Sequence, residues 1–249
     1  MSSSVASSMF QNGNRLSVYS GYSVTALLDS SSLSKCILHQ LLISPLCRKI
    51  NAELLASTGG MCLDPGCLGL GSLPGITQDK LKKLHLGFSD SAVNDLATYA
   101  YVVECGSGKI GQDTNMPPDA ITRFFQNNVS MNCHLTWITP RFNKDTLPSL
   151  GLKARRISLF EPTLVIQNES TTDSLTPTMR VLSTLYPYIS QFLPIRFKEI
   201  EDSDLALAAR LNAEICGPSK PASFYPECDT LERLGYSDCM QIIGRDDRI

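Results

Sequence analysis

Histidine is scarce in this chain, with three in 249 residues, and tryptophan occurs once. So few imidazoles leave few general bases and few metal ligands, which narrows the chemistry from the outset. Charge is thin as well: acidic and basic residues make up 18% and the formal net charge is -2. With no field of one sign, binding to nucleic acid or anionic lipid would need a local patch. No apolar run approaches the roughly 20 residues that a membrane-spanning helix requires. The segment Met1–Ser8 is serine-rich and lacks the basic start and apolar core of a signal peptide, and Ser2 stands where myristoylation needs glycine. Nine cysteines at irregular spacing fit a reducing compartment better than a disulfide framework. The expectation is a cytoplasmic protein, with a nuclear pool also open, and not a secreted one.

What is present is hydrophobic patterning. Residues 1–20 read as a mobile Ser-rich arm, with Asn12-Gly13-Asn14 as a turn. From Leu33 to Leu55 apolar residues recur at helical spacing, and Pro45 splits the pattern into two helices or a kinked one. Residues 59–75 carry several glycines and prolines and read as a loop. Thr77 is placed to cap a short helix over 78–86, and a further helix is expected over 92–98. Tyr99, Tyr101, Val103 and Cys105 alternate as in a strand, and Pro117-Pro118-Asp119 opens a helix ending near Asn127-Asn128.

Val129 to Trp137 alternates without a break, with Met131, Cys133 and Leu135 between the ends and Ser130, Asn132, His134 and Thr136 on the other side. That period of two predicts a strand of an antiparallel sheet with one face on the core and one in water. Further strands are expected near 155–160, 163–167 and 196–200, and a helix from Thr176-Pro177. Ser203 to Cys216 is the best-marked helix, with acidic residues at its start and Gly217-Pro218 as its stop. A short helix near 230–234 completes the reading. The fold class expected is α+β: a helical N-terminal part, a central mainly antiparallel β-sheet, C-terminal helices and an irregular tail. In domain terms, residues 21–217 form a single α+β domain, helical over 21–98 and sheet-rich over 99–200. Residues 218–249 form an irregular, proline-containing tail.

The motifs that could carry chemistry are few. Gly106-Ser107-Gly108-Lys109 lacks the full pattern of a phosphate-binding loop, since Ile110 stands where that pattern needs Ser or Thr. Cys62 and Cys67 could supply half of a zinc site, but a second half-site is missing. Cys133 and His134 are adjacent in a strand and point to opposite faces, so they cannot form a nucleophile–base pair. His134 itself projects from the polar side, as a solvated position or a pH-sensitive contact. The densest basic cluster is Lys153, Arg155 and Arg156, with Arg141 and Lys144 close in sequence. Those cations would suit the phosphates of RNA, an anionic membrane surface or an acidic partner.

With no catalytic constellation and no cofactor fingerprint, the expectation is a non-enzymatic, self-associating structural or assembly protein that needs no cofactor. A viral matrix-type or other virion-associated protein is its narrower form. The alternatives are a regulatory or accessory adaptor that binds a host or cellular partner through the basic 141–156 region, and a cysteine- or zinc-dependent hydrolase. Partners would accordingly be a second copy of the chain or another protein.

Overall fold

The computed structural model describes residues 21–29, 31–55, 69–87, 97–104, 118–130, 132–139, 154–162, 165–166, 198–217 and 231–245. In chain order the elements are β1 (Tyr22–Leu28), α1 (Ser32–Ile43), β2 (Cys47–Leu54), a 3-10 turn (Leu70–Ser72), α2 (Gln78–Leu81), β3 (Leu84–Leu86) and β4 (Tyr99–Val103). They continue with α3 (Pro118–Asn128), β5 (His134–Ile138), β6 (Arg156–Phe160), β7 (Val165–Ile166), β8 (Ile200–Glu201), α4 (Asp202–Cys216), β9 (Leu231–Leu234) and α5 (Tyr236–Ile242).

Seven strands form one sheet in the order β3-β2-β1-β4-β5-β6-β9. Every neighbouring pair in it is parallel. β7 and β8 make a separate two-stranded parallel pair. A parallel sheet needs cover on both faces. On one face Leu33, Ile37, Leu38, Leu41 and Leu42 of α1 join Leu205, Ala206, Ala209 and Ala213 of α4 over Val24, Ala26, Tyr101 and Val103. The other face packs Ile121, Phe124 and Phe125 of α3 on Leu27, Val102, Leu135, Trp137 and Leu159. Helices on both faces and strand order that reverses between β1 and β4 define a doubly wound α/β fold of the dinucleotide-binding type.

The expected α+β class with a central antiparallel sheet is therefore wrong, and the cause is local. β1 alternates Tyr22, Val24 and Ala26 with Ser23 and Thr25, yet it is buried along nearly its whole length, Thr25 included, because helices cover both faces of the sheet. Ile50 and Leu54 continue the helical spacing of α1 past Pro45, but the chain restarts there as β2, with Arg48 exposed at its start and residues 52–54 buried. The alternation around Trp137 does not mean half-burial, because Ser130 and Asn132 precede β5, while His134 and Thr136 within it are fully buried. The helix expected at 230–234 is strand β9, which closes the sheet beside β6.

Local chemistry elsewhere agrees with the sequence. Thr77 caps α2, its side chain accepting from the Lys80 N–H. α4 spans the expected residues and ends at Gly217, whose φ of 59° lies in the left-handed region that favours glycine. Of the membrane expectation, the described residues contain no helix long and apolar enough to cross a bilayer.

Phe125 stacks edge-on against Trp137 at 5.4 Å between ring centroids, so the lone tryptophan reports on this layer. Phe125→Ala should lower stability by about 3–5 kcal/mol in urea unfolding followed by Trp137 emission. Ile215→Ala, at a side chain 73% exposed, should shift it by less than about 0.5 kcal/mol.

Candidate functional site

In an open α/β sheet the ligand crevice lies beyond the carboxyl ends of the strands, where the strand order reverses. Here the residues just past β2, β1, β4, β5 and β6 are Leu55, Asp29, Glu104, Thr139 and Glu161. Each continues the ladder: Leu55 N–H donates to Leu28 C=O at 2.9 Å, Asp29 to Val103 at 3.3 Å, Glu104 to Ile138 at 2.9 Å, Thr139 to Phe160 at 3.1 Å and Glu161 to Leu234 at 3.2 Å. The crest of the sheet is thus a continuous row containing three carboxylates. Arg233 stands 3.7 Å from Glu161 and offsets that charge.

The β1–α1 turn reads Asp29-Ser30-Ser31-Ser32-Leu33-Ser34, with no glycine. Asp29 Oδ1 accepts from Ser31 N–H at 3.0 Å, from Ser34 Oγ at 2.7 Å, and from Ser31 Oγ. Ser31 is also the N-cap of α1, its Oγ accepting from Ser34 N–H at 3.3 Å. A second carboxylate meets the same helical turn: Ser32 Oγ donates to Asp202 Oδ2 at 2.5 Å. Asp202 is 0% exposed, and its Oδ1 has no hydrogen-bond partner.

Glu53 lies near the end of β2, with Leu27 as its register partner on β1. It is 7% exposed and its Oε1 is buried without a partner. In this fold an acidic side chain roughly twenty residues after the β1 turn bonds the ribose hydroxyls of a bound nucleotide. Glu53 stands at that place.

Glu104 accepts from Trp137 Nε1 at 2.9 Å. Burial raises its pKa; the Trp137 and Thr139 hydrogen bonds pull it down, and the Asp29 charge pushes it up again. Among the crest groups it is the one whose surroundings favour holding a proton.

A second polar cluster sits at the opposite, amino end of the strands. Ser158 Oγ donates to Glu232 Oε1 and accepts from Asn212 Nδ2 at 2.9 Å. The same hydroxyl lies 2.7 Å from His134 Nε2. Arg156 donates to Glu232 through Nε at 3.2 Å and also through Nη2. Burial alone would raise the Glu232 pKa, but the bonds from Arg156, Ser158 and Asn212 lower it overall. Nearby, Tyr22 and Ser44 both donate to Glu214 Oε1 at 2.6 Å. These are structural networks that satisfy buried polar groups far from the crest.

The sequence-derived candidates fall as follows. His134 and Arg156 meet in the buried network just described, and Arg155 is exposed beside them. His134 is not a solvated position, because the parallel sheet is covered on both faces and leaves it 0% exposed. Arg141, Lys144, Lys153, Cys62 and Cys67 lie outside the described residues, as does the Gly106–Lys109 turn. Among the described residues no group of three His, Cys, Asp or Glu side chains is placed to hold a metal. Burial pushes the thiols of Cys47, Cys133 and Cys239 up to about 12, which leaves them protonated and unreactive at neutral pH. Asp29, Glu53, Glu104 and Asp202 were not singled out from sequence. The usable signal was the apolar run Val24–Leu28 ending abruptly at Asp29-Ser30-Ser31, which is how a buried strand enters a turn.

No protein-family model matches the chain and no curated protein does. Solved structures do. The reductase domain of PhqB from Penicillium fellutanum superposes with a TM-score of 0.45 at 16% identity, over 94% of this chain and 75% of that one. The reductase domain of an aureusimine biosynthetic cluster gives 0.46 at 9% identity, over 90% and 72%. The protein gox2181 gives 0.42 at 9% identity, over 89% and 98%.

The expectation of a non-enzymatic, self-associating structural protein of virion-associated type is corrected at this point. It rested on a central antiparallel sheet and on the want of a nucleotide-binding frame. The sheet is parallel and doubly wound, a frame of the dinucleotide-binding type. The adaptor alternative rested on the basic 141–156 region and the hydrolase alternative on Cys62 and Cys67, and of these residues 141–153, Cys62 and Cys67 lie outside the described residues.

A nicotinamide dinucleotide is the group this fold implies, and the residues fit it only in part. Glu53 suits the adenosine ribose. The turn before α1, where the pyrophosphate would sit, lacks the glycines of the usual seat, so the fit is carried by the ribose end.

His134 gives the fold a pH signature. Burial and the neighbouring Arg156 lower its pKa from 6.5 to about 3. Between those values the unfolded chain takes up a proton that the folded chain refuses, so stability is complete above pH 6.5 and falls as pH drops toward 3. The loss is about 1.4 kcal/mol per pH unit. His134→Asn should lose less stability than the parent between neutral pH and mildly acidic pH, measured as urea midpoints. Parallel losses in the two proteins would refute the assignment.

Proposed function

We propose that the chain is an enzyme of the oxidoreductase class whose ligand enters the crest of β2, β1 and β4 and is held by a ribose on Glu53. The strand order carries this reading: seven parallel strands with the reversal between β1 and β4 place the crevice above Asp29 and Glu104. It is an argument from fold, supported at residue level by Glu53 Oε1, a buried acceptor that has no donor among the described residues. Two ribose hydroxyls supply donors of the kind an ionised carboxylate lacks.

The chain's own residues then divide the work. Glu53 orients the ribose. Glu104, held by Trp137 Nε1, is the crest group able to hold or release a proton. The indole bond fixes which way that carboxyl faces.

Binding of adenosine to the full chain, measured by calorimetry, tests the ribose assignment. Glu53→Gln should weaken it by roughly ten- to a hundredfold, as for loss of a hydrogen bond to a charged group. Following nicotinamide absorbance with a panel of aldehydes and ketones tests the class. Absence of adenosine binding together with absence of hydride transfer would refute the proposal.

A further inference from the structure

We infer that the protein holds one water molecule between α4 and β4, bonded to Tyr101 Oη, Arg210 Nε and Glu214 Oε2. All three groups lie on the face of the sheet that α4 covers. Tyr101 belongs to the same core cluster as Leu205, Ala209 and Ala213 of that helix, and Arg210 and Glu214 stand one turn apart on it. The site is independent of the ribose reading of Glu53.

The two oxygens of Glu214 are used differently. Oε1 accepts from Tyr22 Oη and from Ser44 Oγ, each at 2.6 Å. Oε2 faces Arg210 Nε at 4.0 Å. That is too long for a hydrogen bond and is a separation that one bridging molecule spans. Arg210 Nε is buried without a partner among the described residues, and so is Tyr101 Oη on the strand beneath. The Tyr101 hydroxyl stands in the field of both charges: burial is the main cause of its raised pKa, Glu214 raises it further and Arg210 lowers it.

A water molecule answers all three groups at once. It accepts from Arg210 Nε–H, donates to Glu214 Oε2 and shares a bond with the Tyr101 hydroxyl, the usual complement of about three bonds for a buried water. An ion suits the place less well, because the guanidinium and the carboxylate cancel and leave no net charge for it to neutralise. The Arg210 and Glu214 side chains keep 16% and 13% exposure, which gives water a way in.

The test is a crystal structure of the full chain at a resolution that orders single waters. A density peak within hydrogen-bond distance of all three atoms is expected. Density showing Arg210 Nε bonded directly to Glu214 Oε2, with no water between, would overturn the inference. Tyr101→Phe supplies a second readout, since it removes one anchor at nearly constant shape. With the water in place the variant loses a hydrogen bond, and its unfolding constant in urea titrations should rise roughly three- to tenfold. If the hydroxyl has no partner, its removal lifts a penalty, so an unchanged or smaller unfolding constant would also overturn the inference.

Discussion

A parallel sheet covered by helices on both faces leaves no wet side for its polar residues, and most of what is distinctive in this molecule follows from that constraint. His134, Thr136 and Ser158 sit within central strands, and Arg156 opens one, yet all four are buried. In water each would be unremarkable. Inside, each polar atom without a partner costs on the order of 1–3 kcal/mol. The response is a set of shared hydrogen bonds: Ser158 serves His134, Asn212 and Glu232 at once, and Glu232 holds the Arg156 charge. Such a network stabilises only when complete, since a buried guanidinium that loses its carboxylate is far worse than an apolar pair.

The same constraint explains what could be read from the sequence. Elements governed by local chemistry were legible: the Thr77 cap, the Pro118 helix start, and the α4 helix with its glycine stop. Strand character near Tyr99, Trp137 and Leu159 was legible too. Direction was not. Whether two strands run parallel depends on where the intervening chain travels, which the residues of a strand do not record. Once β1 and β2 are read as helix or loop, no reversal point exists and the crest acids look like scattered surface charges. Asp29 carries no signature in isolation; its meaning comes from standing directly after the first strand of a doubly wound sheet.

The two ends of the strands divide the chemistry of the molecule. The amino end holds shared networks, with Tyr22, Ser44 and Glu214 as the second example. Toward the carboxyl end, Glu53 Oε1 and Asp202 Oδ1 are acceptors without a partner among the described residues, beside a carboxyl of raised pKa at Glu104. Thr25, Tyr101, His134, Thr136 and Arg210 likewise keep a buried polar atom without such a partner, so open hydrogen bonding is spread along the sheet and its helices.

The bonds that close the amino-end networks span most of the chain. Tyr22 reaches Glu214 across 192 positions, and Arg156 finds Glu232 only 76 residues later. A chain growing from the ribosome therefore carries β1 and β6 long before their polar partners exist. Its early strands can pair with one another, but β6 keeps an open edge and a buried-to-be guanidinium until β9 has been made. During synthesis that edge is the part of the sheet exposed to the wrong partner, and a chaperone would act there.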